Sequence, residues 1–329
     1  MTHKIKIGFL LLTFVISAIA LQGQDKIAPT KTKIRTLIID GQNNHEQWPK
    51  ISYMLMQYLN NSGLFTAEIS RTAFTWRGEE FLDEYAIEGM RETKALGASK
   101  PDPDFKPDFS KYDLVICNFG WEAAPWPSET QLAFEAFVEA GGGVVVFHAA
   151  DNSFPEWKAY NKMIGLGGWG DRNEKDGPYV YYNEEGTLIR DTTDGSAGAH
   201  GAQTEYQVQL RNTTHPITKG MPLKWMHAKD ELYHSLRGPA ENMEVLATGY
   251  ASVANKGTGR HEPVLMAINY GQGRIFHSIM GHIDYSVECV GFITTILRGS
   301  EWAATGKVTQ SIPKDFPSEE ASSSRKFDK

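Results

Sequence analysis

An α/β fold, with a mostly parallel sheet covered by helices on both faces, is what three features of this sequence predict. Residues 34–39, 112–119 and 143–147 are short, almost unbroken apolar runs, the pattern of strands buried on both faces. Between them lie segments with apolar residues at helical spacing, as in Ile51, Met54, Leu55 and Tyr58. The 329 residues are 41% hydrophobic and 22% charged, enough apolar mass for a full core and too mixed for a coiled coil, collagen or a disordered chain.

Taken in order, residues 34–39 form a first strand that ends at Asp40-Gly41. A helix over 46–59, a second strand over 65–69 and a third over 112–119 follow. Residues 128–140 read as an amphipathic helix, with Ser128 as its N-cap and Gly141 beyond its end. The run GVVVF at 143–147 is a fourth strand, and 154–164 is helical again. The rest is richer in strands, over 206–210, 244–248, 263–269 and 274–279, the last two joined as a hairpin by Gly271-Gln272-Gly273. Residues 286–297 form a closing helix, and 304–329 read as a polar tail that frays. Two long stretches, 71–111 and 165–203, lack a regular pattern; loops of that length are functional lids or disordered segments.

The chain's ends and charge limit where it works. Lys4 and Lys6 precede an uncharged run over 7–21, and Ala18-Ile19-Ala20 fits the small-x-small cleavage pattern. Residues 1–20 are therefore expected to be a signal peptide and the protein to be exported, periplasmic or secreted. The run is short for a span of about 20 residues, so no stable membrane anchor is expected. A net charge of −7 without a basic stripe argues against nucleic acid as a partner. Cys117 and Cys289 are too few for a thiolate cluster or a disulfide framework and read as small core residues, and whether they meet is left open.

In an open α/β sheet, ligands bind beyond the carboxyl ends of the strands. Past the first strand stand Asp40, Asn43, Asn44 and His45; past the third, Asn118, Gly120, Trp121 and Glu122; past the fourth, His148 and Asp151. The second half adds Glu231, Tyr233 and His234 in one short segment, and His277 and His282 around the end of the last strand. Imidazoles with carboxylates can serve as acid and base near neutral pH or bind a divalent metal such as zinc. His200, His227, His234 and His261 read as surface or structural residues. No H-E-x-x-H helix, paired C-x-x-C or G-x-S-x-G elbow is present, and the Gly-rich pieces at 141–143 and 165–168 lack the strand–glycine–helix order of a nucleotide loop.

The segments GGGVVVFHAADNSF (141–154), HPITKGMP (215–222), DELYH (230–234), GQGRIFHSIMGH (271–282) and LIIDGQNNHEQW (37–48) resemble the ThuA-like (trehalose utilisation) family. The resemblance spans roughly residues 34–303. It implies a class I glutamine amidotransferase-like fold, a flavodoxin-like three-layer sandwich with long inserted loops, and a role in carbohydrate metabolism on trehalose-type disaccharides or 3-keto-glycosides. By motif match, His45, His148, Glu231 and His282 are the family's polar positions. His148 stands where amidotransferases carry their nucleophilic Cys, which argues against thiolate chemistry. Asp151 departs from relatives with a second His there.

Three functions follow as expectations. The first is an enzyme in which His148, Asp151, Glu231 and His282 are catalytic. Asp40, His45, Asn118, Trp121, Glu122, Tyr233 and His277 would then bind the sugar, and a metal, if used, would draw on His45, His148 and His282. The second is a non-catalytic sugar-binding protein, and the third a metal-dependent hydrolase on the same fold. A small-molecule carbohydrate is the expected partner, and homo-oligomer formation is left open.

Overall fold

Each apolar run becomes a strand, and the helical segments cover the sheet they build. The computed structural model describes residues 1–2 and 32–329, so the signal-peptide reading lies outside the described residues. Residues Lys33–Lys329 form one unit. Its first half runs β1 (Ile34–Gln42), α1 (Trp48–Asn61), β2 (Phe65–Trp76), α2 (Glu79–Leu82), β3 (Lys94–Leu96), β4 (Leu114–Asn118), α3 (Ser128–Glu139), β5 (Gly143–Phe147) and α4 (Lys158–Ile164). The second half continues β6 (Tyr179–Tyr182), β7 (Leu188–Asp191), β8 (Ala199–His200), β9 (Thr204–Leu210), β10 (Lys224–Asp230), β11 (Tyr233–His234), β12 (Met243–Ala251), β13 (Arg260–Tyr270), β14 (Gly273–Ser278), α5 (Asp284–Val287) and α6 (Val290–Thr305).

The α/β class holds. One mixed 12-stranded sheet runs β10-β9-β12-β13-β14-β5-β4-β1-β2-β3, with β6 and β7 attached beside β13. From β14 to β3 every pairing is parallel. From β14 to β10 every pairing is antiparallel. Helices α1, α5 and α6 pack together on one face, while α3 and α4 contact the other. The central strands β4 and β5 are buried at every position, which is why they read as unbroken apolar runs. Each such aliphatic side chain contributes about 1.5–3 kcal/mol by leaving water.

Several expectations need correction. Ser128 does not cap α3; Pro127 occupies that position and no side chain bonds the helix end. The second strand extends far beyond residue 69, because Asp40 grips Arg71 in a buried bidentate ion pair, both contacts 2.8 Å. The stretch 165–203 contains the β6–β7 hairpin. The 304–329 tail does not fray. Val290 N–H donates to Ser323, Arg325 N–H to Glu288, and Met226 N–H to Ser318, while Phe327 packs against Tyr53 and Tyr58. Both cysteines are buried and free. Among the described residues no helix is long and apolar enough to cross a membrane.

Candidate metal centre

Four strand ends deliver the site. The turn after β1 carries His45, the turn after β5 carries His148, and Glu231 and His282 follow β10 and β14. One ligand atom from each of these four side chains lies within 4.8 Å of the others. The imidazoles meet edge to face, with centroids 4.9 Å apart for His45–His148, 4.7 Å for His45–His282 and 5.2 Å for His148–His282. Glu231 closes the remaining side, its Oε1 3.4 Å from His282 Nε2 and its Oε2 3.9 Å from His148 Nε2.

Neighbouring groups fix which nitrogen faces the centre. His148 Nδ1 lies 2.8 Å from the Ile279 carbonyl, which can only accept, so Nδ1 carries the proton and Nε2 the lone pair. His45 Nδ1 lies 3.1 Å from Asn43 Oδ1, which also accepts the His45 backbone N–H. Asn43 cannot present its amide nitrogen there, because that nitrogen donates to Asn118 Oδ1 and the Phe119 carbonyl, each at 3.2 Å. Asn118 is held in turn by Trp48 and Ser52. Ligands oriented through a chain of outer hydrogen bonds are the usual construction of a metal site. Gly120 lets the chain pass this close: a Cβ there would sit 2.5 Å from Asn43 Oδ1.

The backbone at His148 is unusual. It turns at φ 40, the left-handed region that non-glycine residues rarely adopt, directly after β5. Strained turns of this kind concentrate at functional sites. Here the turn sets the buried imidazole directly after β5, in the cluster.

Electrostatics favour neutral rings. Burial lowers the His148 pKa to about 3, outweighing the lift from Asp230, and the neighbouring His282 and His200 lower it further. Burial, then His148 and His282, hold His45 well below the ordinary histidine range. Beneath them, the Asp230 carboxylate accepts N–H bonds from Glu231 (2.8 Å), Gly281 (2.8 Å) and His282 (3.1 Å). It also pairs with His227 Nε2 at 2.8 Å. Burial opposes both charges. Even so, His227 is raised by Cys289 and Asp230, and Asp230 is lowered by His227 and its amide donors, which favours the ionised form of the pair. His227 Nδ1 is buried without a hydrogen-bond partner. Asp230 thus ties the two ligands from the antiparallel half to one buried anchor.

The remaining sequence-predicted residues fall into three places. Tyr233 borders the cluster: its hydroxyl is 2.8 Å from His148 Nε2, and its ring lies against Trp169 at 4.8 Å. Asn118 supports His45 from behind, and Asp40 is buried with Arg71, which stacks on Trp48. Trp121 and Glu122 are on the surface of the neighbouring turn. Asp151 and His277 form a separate buried pair, 3.3 Å apart, and do not join the cluster.

Sequence reasoning gave Asp230 no role and read His200 and His227 as surface or structural; His227 is structural, buried against Asp230, whereas His200 reaches the site. His200 Nδ1 is 3.6 Å from Glu231 Oε1 and its ring is part of the rim, along with Gln203 and Tyr285. The doublet Asp230-Glu231 was the available signal: adjacent acids at a strand end face different ways, one into the cluster and one beneath it.

The donor set passes a fit test for a divalent ion. His45 and His148 present lone pairs, Glu231 adds a carboxylate, and His282 Nδ1 is buried without a partner. Nitrogen and carboxylate oxygen donors are those of zinc sites.

Comparison with known proteins places this architecture. The family model described as "ThuA: Trehalose utilisation" matches residues 35–303. A ThuA-like protein of Parabacteroides merdae is 42% identical, with a TM-score of 0.78 over 89% of this chain and 98% of that one. A ThuA-like protein of Bacteroides uniformis is 18% identical, with a TM-score of 0.50 over 87% and 97%, and shares the fold alone. No curated protein matches the sequence. With most of its length matched by one family model and a close relative in the same group, the chain belongs to the ThuA family.

Proposed function

We propose that this protein is a divalent-metal-dependent enzyme of carbohydrate metabolism, acting on a trehalose-type disaccharide or its 3-keto derivative. The convergence of His45, His148, Glu231 and His282 within 4.8 Å is the observation that carries this reading. A bound zinc-like ion would polarise a sugar carbonyl or generate a hydroxide-like nucleophile from water.

The chain's own groups supply the rest. With Nδ1 engaged and its basicity reduced by burial, His148 fits a ligand better than the acid or base expected from the sequence. Tyr233 holds the movable proton: Asn152 Nδ2 donates to the phenol oxygen at 3.5 Å, and the phenol donates to His148 Nε2. Glu231, between His148, His200 and His282, is placed both to ligate and to accept a proton. Trp169, half-buried and packed on the buried Tyr233 ring, offers aromatic surface of the kind that stacks on a sugar ring and excludes water. The substrate class rests on the family, whose description is trehalose utilisation.

The test is metal analysis joined to a product assay. Intact protein is stripped with chelator, reloaded with zinc, and incubated with trehalose and 3-keto-trehalose, with mass spectrometry as the readout. The reading requires one metal per chain, product only after reloading, and neither metal nor product with His148→Ala. Product that survives chelation, or full activity in His148→Ala, overturns it. Metal and sugar binding without product would support the non-catalytic reading instead. Export is part of the proposal, and intact mass of the protein recovered from its source cells checks it: cleavage near Ala20 is expected.

A further inference from the structure

We propose that a second cavity, separate from the His/Glu cluster, binds one ring of a neutral sugar. It lies between β9, β12, the start of β13 and the 252–257 loop, and has a volume of about 270 Å³. Small-molecule pockets run from ~300 Å³ upwards, so this one suits a single ring rather than a chain.

The cavity has a constructed wall. Asn255 donates from Nδ2 to the Ala202 carbonyl at 2.8 Å, and its Oδ1 accepts the Ala202 N–H at 3.0 Å. Gly201 is required by this closeness, because a Cβ there would lie 1.9 Å from the Asn255 carbonyl oxygen. The sheet provides the floor. Tyr250 pairs with His261 across β12 and β13, their rings 5.3 Å apart, and Gln207 and Gln209 come from the adjoining strand.

Three lining residues, Tyr206, His234 and His261, each carry a buried polar atom without a partner. His234 is 6% exposed, its Nδ1 sits 3.0 Å from Ser235 Oγ, and its Nε2 has no partner. His261 Nδ1 is likewise buried and unbonded. Polar groups buried without a partner are costly to the fold and mark this wall as built for more than packing.

The lining selects the ligand class. No lysine or arginine is among the described lining residues, so a phosphate or carboxylate finds no counter-charge. Burial lowers the pKa of both His234 and His261, so the rings enter as neutral groups that donate and accept. Glutamine amides add paired donors and acceptors, while Tyr250, 45% exposed, and Leu232 offer apolar surface. Hydroxyl-matching amides and imidazoles beside an aromatic face suit a pyranose, which is polar at its edge and apolar on its face. The strand order separates this cavity from the cluster: Glu231 and Tyr233 border the cluster, whereas Leu232 and His234 line the cavity.

Saturation-transfer NMR on the intact protein with D-glucose tests the proposal. The ring protons of glucose should be saturated by wild type and by His148→Ala, and lost in Tyr250→Ala, with affinity down at least about tenfold. His261→Phe keeps the ring but removes both nitrogens, and should weaken glucose similarly. Thermal unfolding confirms that each variant is folded. Glucose 6-phosphate should compete no better than glucose. Absence of saturation at tens of millimolar glucose, or an unchanged signal in both Tyr250→Ala and His261→Phe, overturns the proposal. So does a signal that disappears in His148→Ala alone, which would put the sugar at the cluster. Because glucose binding is read in a variant lacking a cluster ligand, failure here is distinguishable from failure of the metal reading.

Discussion

Two groups of buried histidine and carboxylate sit at the ends of neighbouring strands and differ in one respect. In the Asp151–His277 pair both imidazole nitrogens are engaged, Nδ1 by the Ile164 carbonyl at 2.8 Å and Nε2 by Asp151 at 3.3 Å. In the His45/His148/Glu231/His282 group the outer nitrogens of His45 and His148 are engaged and the inner ones face a shared centre, where His148 Nε2 meets the Tyr233 hydroxyl rather than a carboxylate. Residue type is the same in both; the direction of the free lone pairs is not. A closed pair ties α4 to β14 and stabilises the fold, whereas converging lone pairs on rings of lowered basicity are what a cation site needs.

Substitutions separate the two groups. The largest expected effect is at the open group. Removing a ligand in Glu231→Ala or His282→Ala should release the metal and lower turnover by about 10³-fold or more. Inductively coupled plasma mass spectrometry on dialysed protein checks the metal and the product assay checks turnover. Retained metal in both variants would make the cluster a histidine packing motif, and the comparison would collapse.

Asp230→Asn comes next, because it acts on ligands without being one. Losing an outer-shell carboxylate typically costs about 10–100-fold in metal affinity, which titration calorimetry can read. Its effect on stability carries a pH signature. The folded pKa of Asp230 is depressed to about 2, so its contribution is present above the unfolded value near 3.8 and lost as pH falls through about 2. His227 is raised to about 10, so its contribution is full below the unfolded value of 6.5 and lost as pH rises through about 10. The stability gap between wild type and Asp230→Asn should therefore be widest between about pH 4 and 6.5 and narrow on either side, by urea unfolding of metal-free protein. A gap that does not change with pH would show that the pair is not ionised.

The closed group should behave in the opposite sense. His277→Ala strands the Asp151 carboxyl, whose pKa burial already raises, and should cost about 1–3 kcal/mol of stability. Metal stoichiometry should stay unchanged. Metal loss in His277→Ala at full folding would show the two groups to be one functional unit.

The sequence made the parallel half readable and the antiparallel half much less so, and burial explains the asymmetry. Strands β4 and β5 are buried on both faces, so LVICN and GVVVF declare themselves. In β10 the buried positions include His227 and Asp230, so KWMHAKD carries no apolar rhythm and was not expected as a strand. The same holds for the site. His45, His148 and His282 follow strand ends and were found by the rule for open sheets. Asp151 satisfies that rule equally well and His277 stands one residue short of the end of β14, so the partners of each nitrogen are what separate the pair from the cluster. The anchoring role of Asp230 depends on contacts more than fifty positions away in the chain, which no local pattern encodes.

The smallest effect falls on the residue between open and closed. The Tyr233 hydroxyl donates to the His148 Nε2 lone pair at 2.8 Å, the same lone pair a metal would take. In metal-free protein this bond partly closes the open group, and metal entry must displace it. A hydrogen bond of this kind is worth about 0.5–1.5 kcal/mol net, so Tyr233→Phe should bind zinc about 2–10-fold more tightly and lower metal-free stability by a similar free energy. Turnover should fall in the same variant if, as proposed above, the phenol carries the proton. Tighter zinc with slower turnover would identify Tyr233 as a group that trades one partner for the other. Weaker zinc would mean that the phenol orients His148 rather than competing for it, and Tyr233 would then belong with Asn43 and Asp230 among the residues that hold the ligands in place.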